Sequence, residues 1–330
     1  MIKKTLLILT LIVFIALALI AGKLAKIIYT PVEIHHILCE IKPGDTGRNI
    51  AETLYQNGII RDKDIFHLII RAKKLDRQLK AGYYLFTGNL NMMDTIKKII
   101  SGEIMLIPVT IPEGLSIYRT FRILENNEIG DYEKYMILAN DTEFIRTATE
   151  FEVESLEGFL YPDTYFFGHD MSEESVIKAM IENFYNRLKN AHIEIEEKDK
   201  FYETIILASI IEKEATFDDE KPIMAGVFLN RIRIGMPLQA DPTVTYHLES
   251  QFRHINRVTY SMLREETPYN TYVISGLPPH PICSPAISSI YSVLNPEKTD
   301  YLYFVADRQG RHVFARSYDQ HRQNIRNRSN

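Results

Sequence analysis

The strongest constraint on this chain stands at its start, where Lys3 and Lys4 precede TLLILTLIVFIALALIAG, eighteen residues from Thr5 to Gly22 without a charge, before Lys23 and Lys26. As a helix rising about 1.5 Å per residue this run is about 27 Å long, enough to cross the hydrocarbon core of a bilayer. A cleaved signal peptide is the competing reading, because its apolar region is about 7 to 15 residues long and ends at small residues, as the ALA in this run would allow. The expectation is a single-pass anchor over residues 5–22, with a short cytoplasmic tail at 1–4 and the large C-terminal body on the other side of the membrane.

That body is globular by composition, since 45% of the 330 residues are hydrophobic and can build one large or several smaller cores. With 38 Lys plus Arg against 43 Asp plus Glu, the net charge of -5 argues against a main business of gripping nucleic acid. Two cysteines, Cys39 and Cys283, are too few for a disulfide framework or a four-cysteine metal site; outside the cytoplasm they could pair, but their spacing does not demand it. The histidines, from His35 to His321 and including His254, form no HExxH or closely spaced ligand trio. No GxxxxGK or GxGxxG loop follows Gly44 or Gly114, and no GxSxG elbow occurs, so neither metal nor organic cofactor is expected.

The chain reads as α+β. After a juxtamembrane linker at 23–36, residues 37–86 run turn (Pro43-Gly44-Asp45), helix from about Thr46 with Ile50, Leu54 and Ile59 on its apolar side, second helix over about 63–72, and the strand AGYYLF. This strand, helix, helix, strand module resembles the LysM-like domains of cell-wall enzymes. Residues 87–150 read as a second small α/β unit, in which IPEGLSIYRTFRILENN repeats the strand-turn-helix grammar, followed by an acidic helical stretch at 131–149 that reads as a solvated linker or inserted piece. Residues 151–330 form a mixed α+β domain. It holds a helix near Glu174–Ala191, the very apolar FYETIILASIIEKEA, the amphipathic MAGVFLNRIRIG, LQADPTVTYHL as a polar loop around Asp241-Pro242 leading to a short extended or helical element, and the hairpin YLYFVADRQGRHVFA.

Within that last domain, Glu212 and Glu214 are candidates for acid catalysis. Two positions apart on a helix, they point about 200° from each other and cannot act as a facing pair. Glu214 lies over Leu207, Ile210 and Ile211, and Glu212 over Ile205, Ala208 and Ser209, so desolvation raises the pKa of Glu214 more. Against this stands the plain alternative that both are solvated residues at a helix end, with Lys213 and Lys221 nearby. Gln239, Asp241, Thr243 and Tyr246 offer amide, carboxylate, hydroxyl and phenol, a set suited to sugar hydroxyls and acetamido groups; equally, Asp241-Pro242 is a turn opener and Thr243 a helix cap. Asn270, Thr271 and Tyr272 precede a proline-stiffened GLPPHPICSPA, and Glu157, Asp163 and Tyr165 surround another proline in EGFLYPDTYFF.

Taken in order, KPGDTGRNIAETL, LEGFLYPDTY, ASIIEKEA, VFLNRIRIGMPLQADPTVTY, TPYNTYVISGLPPHPICSPA and YLYFVADRQGRHVF resemble the YceG-like family of membrane-anchored endolytic murein transglycosylases over almost the whole chain. The resemblance implies that the second glutamate of EKE, Glu214, is catalytic, and that Glu157, Asp163, Gln239, Asp241, Thr243, Tyr246, Asn270 and Tyr272 lie in or beside the substrate cleft. It further implies cleavage of the MurNAc-β-1,4-GlcNAc bond without water, giving a 1,6-anhydroMurNAc end, on nascent glycan at the outer face of the cytoplasmic membrane and in company with peptidoglycan synthases. A hydrolase using the same acid, or a wall-binding scaffold using none, are the alternatives.

Overall fold

The helix that starts in the apolar run does not stop at Gly22, because nothing in KLAKIIY breaks it; α1 spans Ile2–Tyr29 and ends just before Pro31. Its segment Leu7–Tyr29, of mean hydropathy 2.7, is long and apolar enough to cross a membrane. The computed structural model describes residues 2–250 and 258–329, with side chains from 7 to 328, and separates into two compact units: Met1–Ile107 with Gly168–Asp170, and Pro108–Phe167 with Met171–Asn330.

In the first unit, β1 (Val32–Ile41) pairs antiparallel with β2 (Gly82–Leu90), from Val32 opposite Leu90 to Ile41 opposite Gly82, and the register shifts between Ile34 and Ile37. Between them lie α2 (Gly47–Gln56) and α3 (Lys63–Ala72), and α4 (Met92–Ser101) follows. Each helix starts where an oxygen can satisfy its first free N–H groups: Thr46 accepts from Asn49, Asp62 from Asp64 and Ile65, and Asn91 with Asp94 closes a capping box. Ile50, Leu54, Ile59, Phe66, Ile70, Tyr84 and Phe86 form the core. Met92, Ile96 and Ile99 of α4 are buried in that same core, so the unit closes at Ile107 where the sequence suggested residue 86. The expected linker at 23–36 is likewise divided between the end of α1 and the start of β1.

The second unit contains β3 (Leu106–Thr110), α5 (Ile117–Asn126), α6 (Tyr132–Ala139), α7 (Thr142–Thr149), β4 (Thr164–Gly168), α8 (Glu173–Asn190), α9 (Lys198–Glu214), α10 (Lys221–Arg233), α11 (Asp241–Glu249), α12 (Ile287–Leu294), β5 (Tyr303–Ala306), β6 (His312–Ala315) and α13 (Tyr318–Ser329). β3 pairs with β4, and β5 with β6 in the expected hairpin, Tyr303 opposite Ala315. Of the two readings of 131–149, solvated linker or inserted helical piece, the structure has the helical piece, packed on one face. Tyr135 stacks on Phe121 with ring centres 4.9 Å apart and donates to the Ile129 carbonyl, and Ala139, Ile145 and Thr149 are buried, while the acids that made the segment look solvated face outward.

At the centre is α9, whose Ile205–Ile211 stretch is buried. Leu207, Ile210 and Ile211 share a cluster with Ala225 and Phe228 of α10, Leu238, Ala240, Tyr246 of α11 and Ile282. Close approach to α9 also explains Gly158: its φ is +93°, and a Cβ there would stand 2.8 Å from the Ile205 side chain and 2.7 Å from Pro281.

Candidate active site

The two glutamates at the end of α9 part company. Glu212 turns toward α12, where its Oε2 accepts from the Ala286 N–H at 3.0 Å, the Ser289 hydroxyl at 2.5 Å and the Lys221 ammonium at 3.3 Å. Every one of those donors is protein, and Glu212 and Lys221 are only 7% and 5% exposed, so this carboxylate ties three elements together. Glu214 is half-buried as a residue, and its carboxyl is closely surrounded. Burial pushes its acid up to about 7, the Asp241 carboxylate adds to the rise, and the Asp241 N–H and the Arg231 charge oppose it. An acid that titrates near neutrality can give up a proton and take it back.

Of the two continuations expected after the polar stretch, extended or helical, the structure has the helical one: α11 begins at Asp241 itself, because Pro242 is set for the first turn of a helix. That helix start directs the Asp241 backbone N–H at Glu214. Asp241 is exposed and its Oδ1 accepts from the Tyr272 hydroxyl at 2.7 Å. Gln239, exposed and next but one to Asp241 in the chain, has a φ of +50° and hands its backbone N–H to the Thr271 carbonyl at 3.0 Å. Beneath lie Thr243 and Thr271, both buried, with hydroxyls 2.8 Å apart; Thr271 also accepts from the Ala240 N–H at 3.0 Å. Asn270 is buried too: its amide donates to the Glu265 carbonyl at 2.7 Å and its oxygen accepts from the Tyr272 N–H at 3.0 Å. The structure therefore brings Glu214, Asp241 and Tyr272 together, with Thr243 and Asn270 as framework and Gln239 tied to it by its backbone.

Glu157 and Tyr246 differ from the expectation of direct substrate contact. Glu157 is 0% exposed and Tyr246 3%, and they bond to each other at 2.9 Å, while Glu157 also accepts from the Ile117 N–H that opens α5, at 3.0 Å. As placed, neither polar group reaches solvent. Asp163 is tied elsewhere, to Asn183 at 2.9 Å and to Arg187, both on α8. A cavity of about 580 Å³ at the N-terminal end of α9, lined by Phe151, Lys198, Tyr202 and His280 among others, holds none of the predicted site residues. Cys39 and Cys283 are each buried as free thiols in their own units. His254 lies outside the described residues. Sequence reasoning missed Arg231, whose signal was legible: it continues the buried stripe of Met224, Val227 and Phe228 along α10, where an arginine has to be explained.

Glu157 carries a stability prediction. Burial pushes its acid from 4.5 up to about 8, against hydrogen bonds from Ile117 and Tyr246 that lower it. The fold then binds a proton that the unfolded chain has lost, so this group's contribution is full below 4.5 and is lost as pH rises through about 8. Melting temperatures of the parent should fall more across that window than those of Glu157→Gln; parallel curves would refute the assignment.

Residues 39–327 match the YceG-like family. An endolytic murein transglycosylase of Bacillus subtilis is 32% identical over 299 residues, 85% of this chain and 81% of that protein. One from Streptococcus pneumoniae is 28% identical over 320 residues, 88% of this chain but 58% of that longer protein. The crystal structure of a YceG-like protein from Listeria monocytogenes superposes with a TM-score of 0.59 at 31% identity, covering 88% of this chain and 99% of that one. Matched in sequence from the first β-strand to the last helix, and in fold to a solved member, the chain belongs to the YceG-like family.

Proposed function

We propose that this protein is an endolytic murein transglycosylase that cuts the MurNAc-β-1,4-GlcNAc bond within glycan strands, with Glu214 as its acid and base. The observation that carries this reading is the state of Glu214: recessed, with its acid raised to about 7 by burial first and the Asp241 carboxylate second, while its neighbour Glu212 is consumed by internal bonds. In the first step Glu214 gives its proton to the glycosidic oxygen and the bond from that oxygen to muramyl C1 breaks, leaving an oxocarbenium-like centre. The C6 hydroxyl oxygen then bonds to C1 and its proton returns to Glu214. No water enters, so the products are a free GlcNAc 4-hydroxyl and a 1,6-anhydroMurNAc end. Gln239, Asp241 and Tyr272 hold the sugar ring and its acetamido group, and Thr243, Asn270, Glu157 and Tyr246 keep those contacts in place. Asp163 acts more remotely by fixing α8.

The relatives' printed activity and the apolar helix Leu7–Tyr29 support a setting at the cytoplasmic membrane, with the second unit on its outer side near peptidoglycan synthases. The βααβ unit would serve there as a LysM-like contact with the wall. Asp241, a second carboxylate beside Glu214, keeps a hydrolase in view, because two carboxylates flanking the bond are what hydrolysis uses. Mass analysis of products from purified glycan strands separates the two: every new muramyl end should be the anhydro form, and reducing ends heavier by one water would assign a hydrolase.

A further inference from the structure

Arg231 stands on the buried face of α10 and is 6% exposed. Withdrawing a guanidinium from water costs several kcal/mol, normally recovered by a carboxylate partner. Among the described residues Arg231 has no such ion pair. Its Nε donates to the Leu302 carbonyl at 2.7 Å and its Nη1 to the Leu238 carbonyl at 2.5 Å, and its guanidinium lies 5.7 Å from the centre of the Tyr303 ring. The titratable groups that feel its charge are Tyr303, Tyr272, His321 and Glu214, of which only Glu214 is a carboxylic acid.

We infer that Arg231 is a positioning residue of the transglycosylase site: it clamps Leu238 to Leu302, fixing the turn that delivers Gln239 and Asp241, and holds an unpaired positive charge toward the carboxylate that Glu214 becomes when its proton leaves. The inference rests on the reading of Glu214 as the acid. Leu238 immediately precedes the left-handed Gln239, and Leu302 immediately precedes the strand β5, so one side chain joins the start of the C-terminal hairpin to the site. Among the described residues, the charges facing Glu214 are Asp241 from α11 and Arg231 from α10, with the neutral Tyr272 alongside. On α9 itself, Glu212 is turned to α12, and Lys213 to the Gly114 carbonyl and Glu249. Without Arg231 the Asp241 charge would stand unopposed, and release of the proton would leave two carboxylates together.

The test is the rate of cleavage of purified glycan strands by the full chain in detergent, followed against pH for the parent, R231Q, R231K and E214Q, with melting curves to confirm folding. R231Q is expected to lower kcat by about 10- to 100-fold and to move the high-pH fall in activity upward by about one unit. R231K keeps the charge and loses the two-point clamp, so its pH profile stays put while kcat drops about tenfold at nearly constant KM. An R231Q profile that falls at the same pH as the parent overturns the proposal and leaves Arg231 a brace. If R231Q does not fold, R231K decides, and a parent-like kcat overturns the clamp. An active E214Q would instead sink the reading of the acid itself, whereas an inactive E214Q with an unshifted R231Q sinks only Arg231.

Discussion

Glu214→Gln is expected to lower cleavage of purified glycan strands by about 10²- to 10⁴-fold, the usual contribution of a positioned general acid. Glutamine has nearly the same shape and can still accept from the Asp241 N–H, but it cannot protonate a leaving oxygen or take a proton from the C6 hydroxyl. Binding should therefore persist while turnover fails, so KM or strand retention changes little. The parent's dependence on pH follows from the same group. The first step needs the protonated acid, so kcat/KM should fall as pH rises through about 7, the value to which burial and Asp241 bring Glu214. Stability should respond in the opposite sense for the variant. An acid raised in the fold stabilises at low pH and loses that contribution as pH rises through about 7, so E214Q should melt at or above the parent at alkaline pH. A variant that cuts at the parent rate would remove Glu214 from the mechanism.

How far this site could be read from sequence depends on whether the signal was local. The aliphatic neighbours of Glu214 at Leu207, Ile210 and Ile211 follow from helical periodicity, and the structure places all three in the core beneath it. Thr46, the α3 boundaries and the RQG hairpin were legible for the same reason, since caps and turns are written within a few residues. What could not be read were partners distant along the chain. Lys221 is near both glutamates in sequence, and only the folded structure pairs it with Glu212. The resemblance implied a place for Glu157 in or beside the cleft, but no local pattern could show its partners, Ile117 and Tyr246, which lie 40 and 89 residues away.

Elsewhere local signals left two readings open, and tertiary packing selects between them. The acids of 131–149 suggested solvent on all sides, but Tyr132, Tyr135 and Ala139 recur at helical spacing and bury one face. The Asp241-Pro242 pair suits a turn and a first helical turn alike, and packing of Val244, Tyr246 and Leu248 selects the helix. That selection matters for chemistry, because a helix start presents an N–H to Glu214 where an open loop would not.

Glu212→Ala should fail in the opposite way from E214Q, by destabilising the second unit by about 3 kcal/mol or more while the chemistry of surviving folded protein is retained. The substitution leaves the Ala286 N–H without its acceptor at the start of α12 and strands the Ser289 hydroxyl. It also removes the buried partner of Lys221, whose remaining acid, Asp218, is 76% exposed and holds it at 2.7 Å from the solvent side. Breaking one side of a buried pair is costlier than never having built it, because the surviving charge stays out of water. Glu212→Gln should cost less, since its amide oxygen can still accept from Ala286 and Ser289 and only the attraction to Lys221 is lost. The denaturant midpoint should therefore rank parent, E212Q, E212A at constant slope. Activity per folded molecule should keep the parent's fall near pH 7, because Glu214 and its neighbours Asp241 and Arg231 are untouched. An E212A protein that melts like the parent yet cuts nothing would show instead that Glu212, and not its helix neighbour, handles the proton.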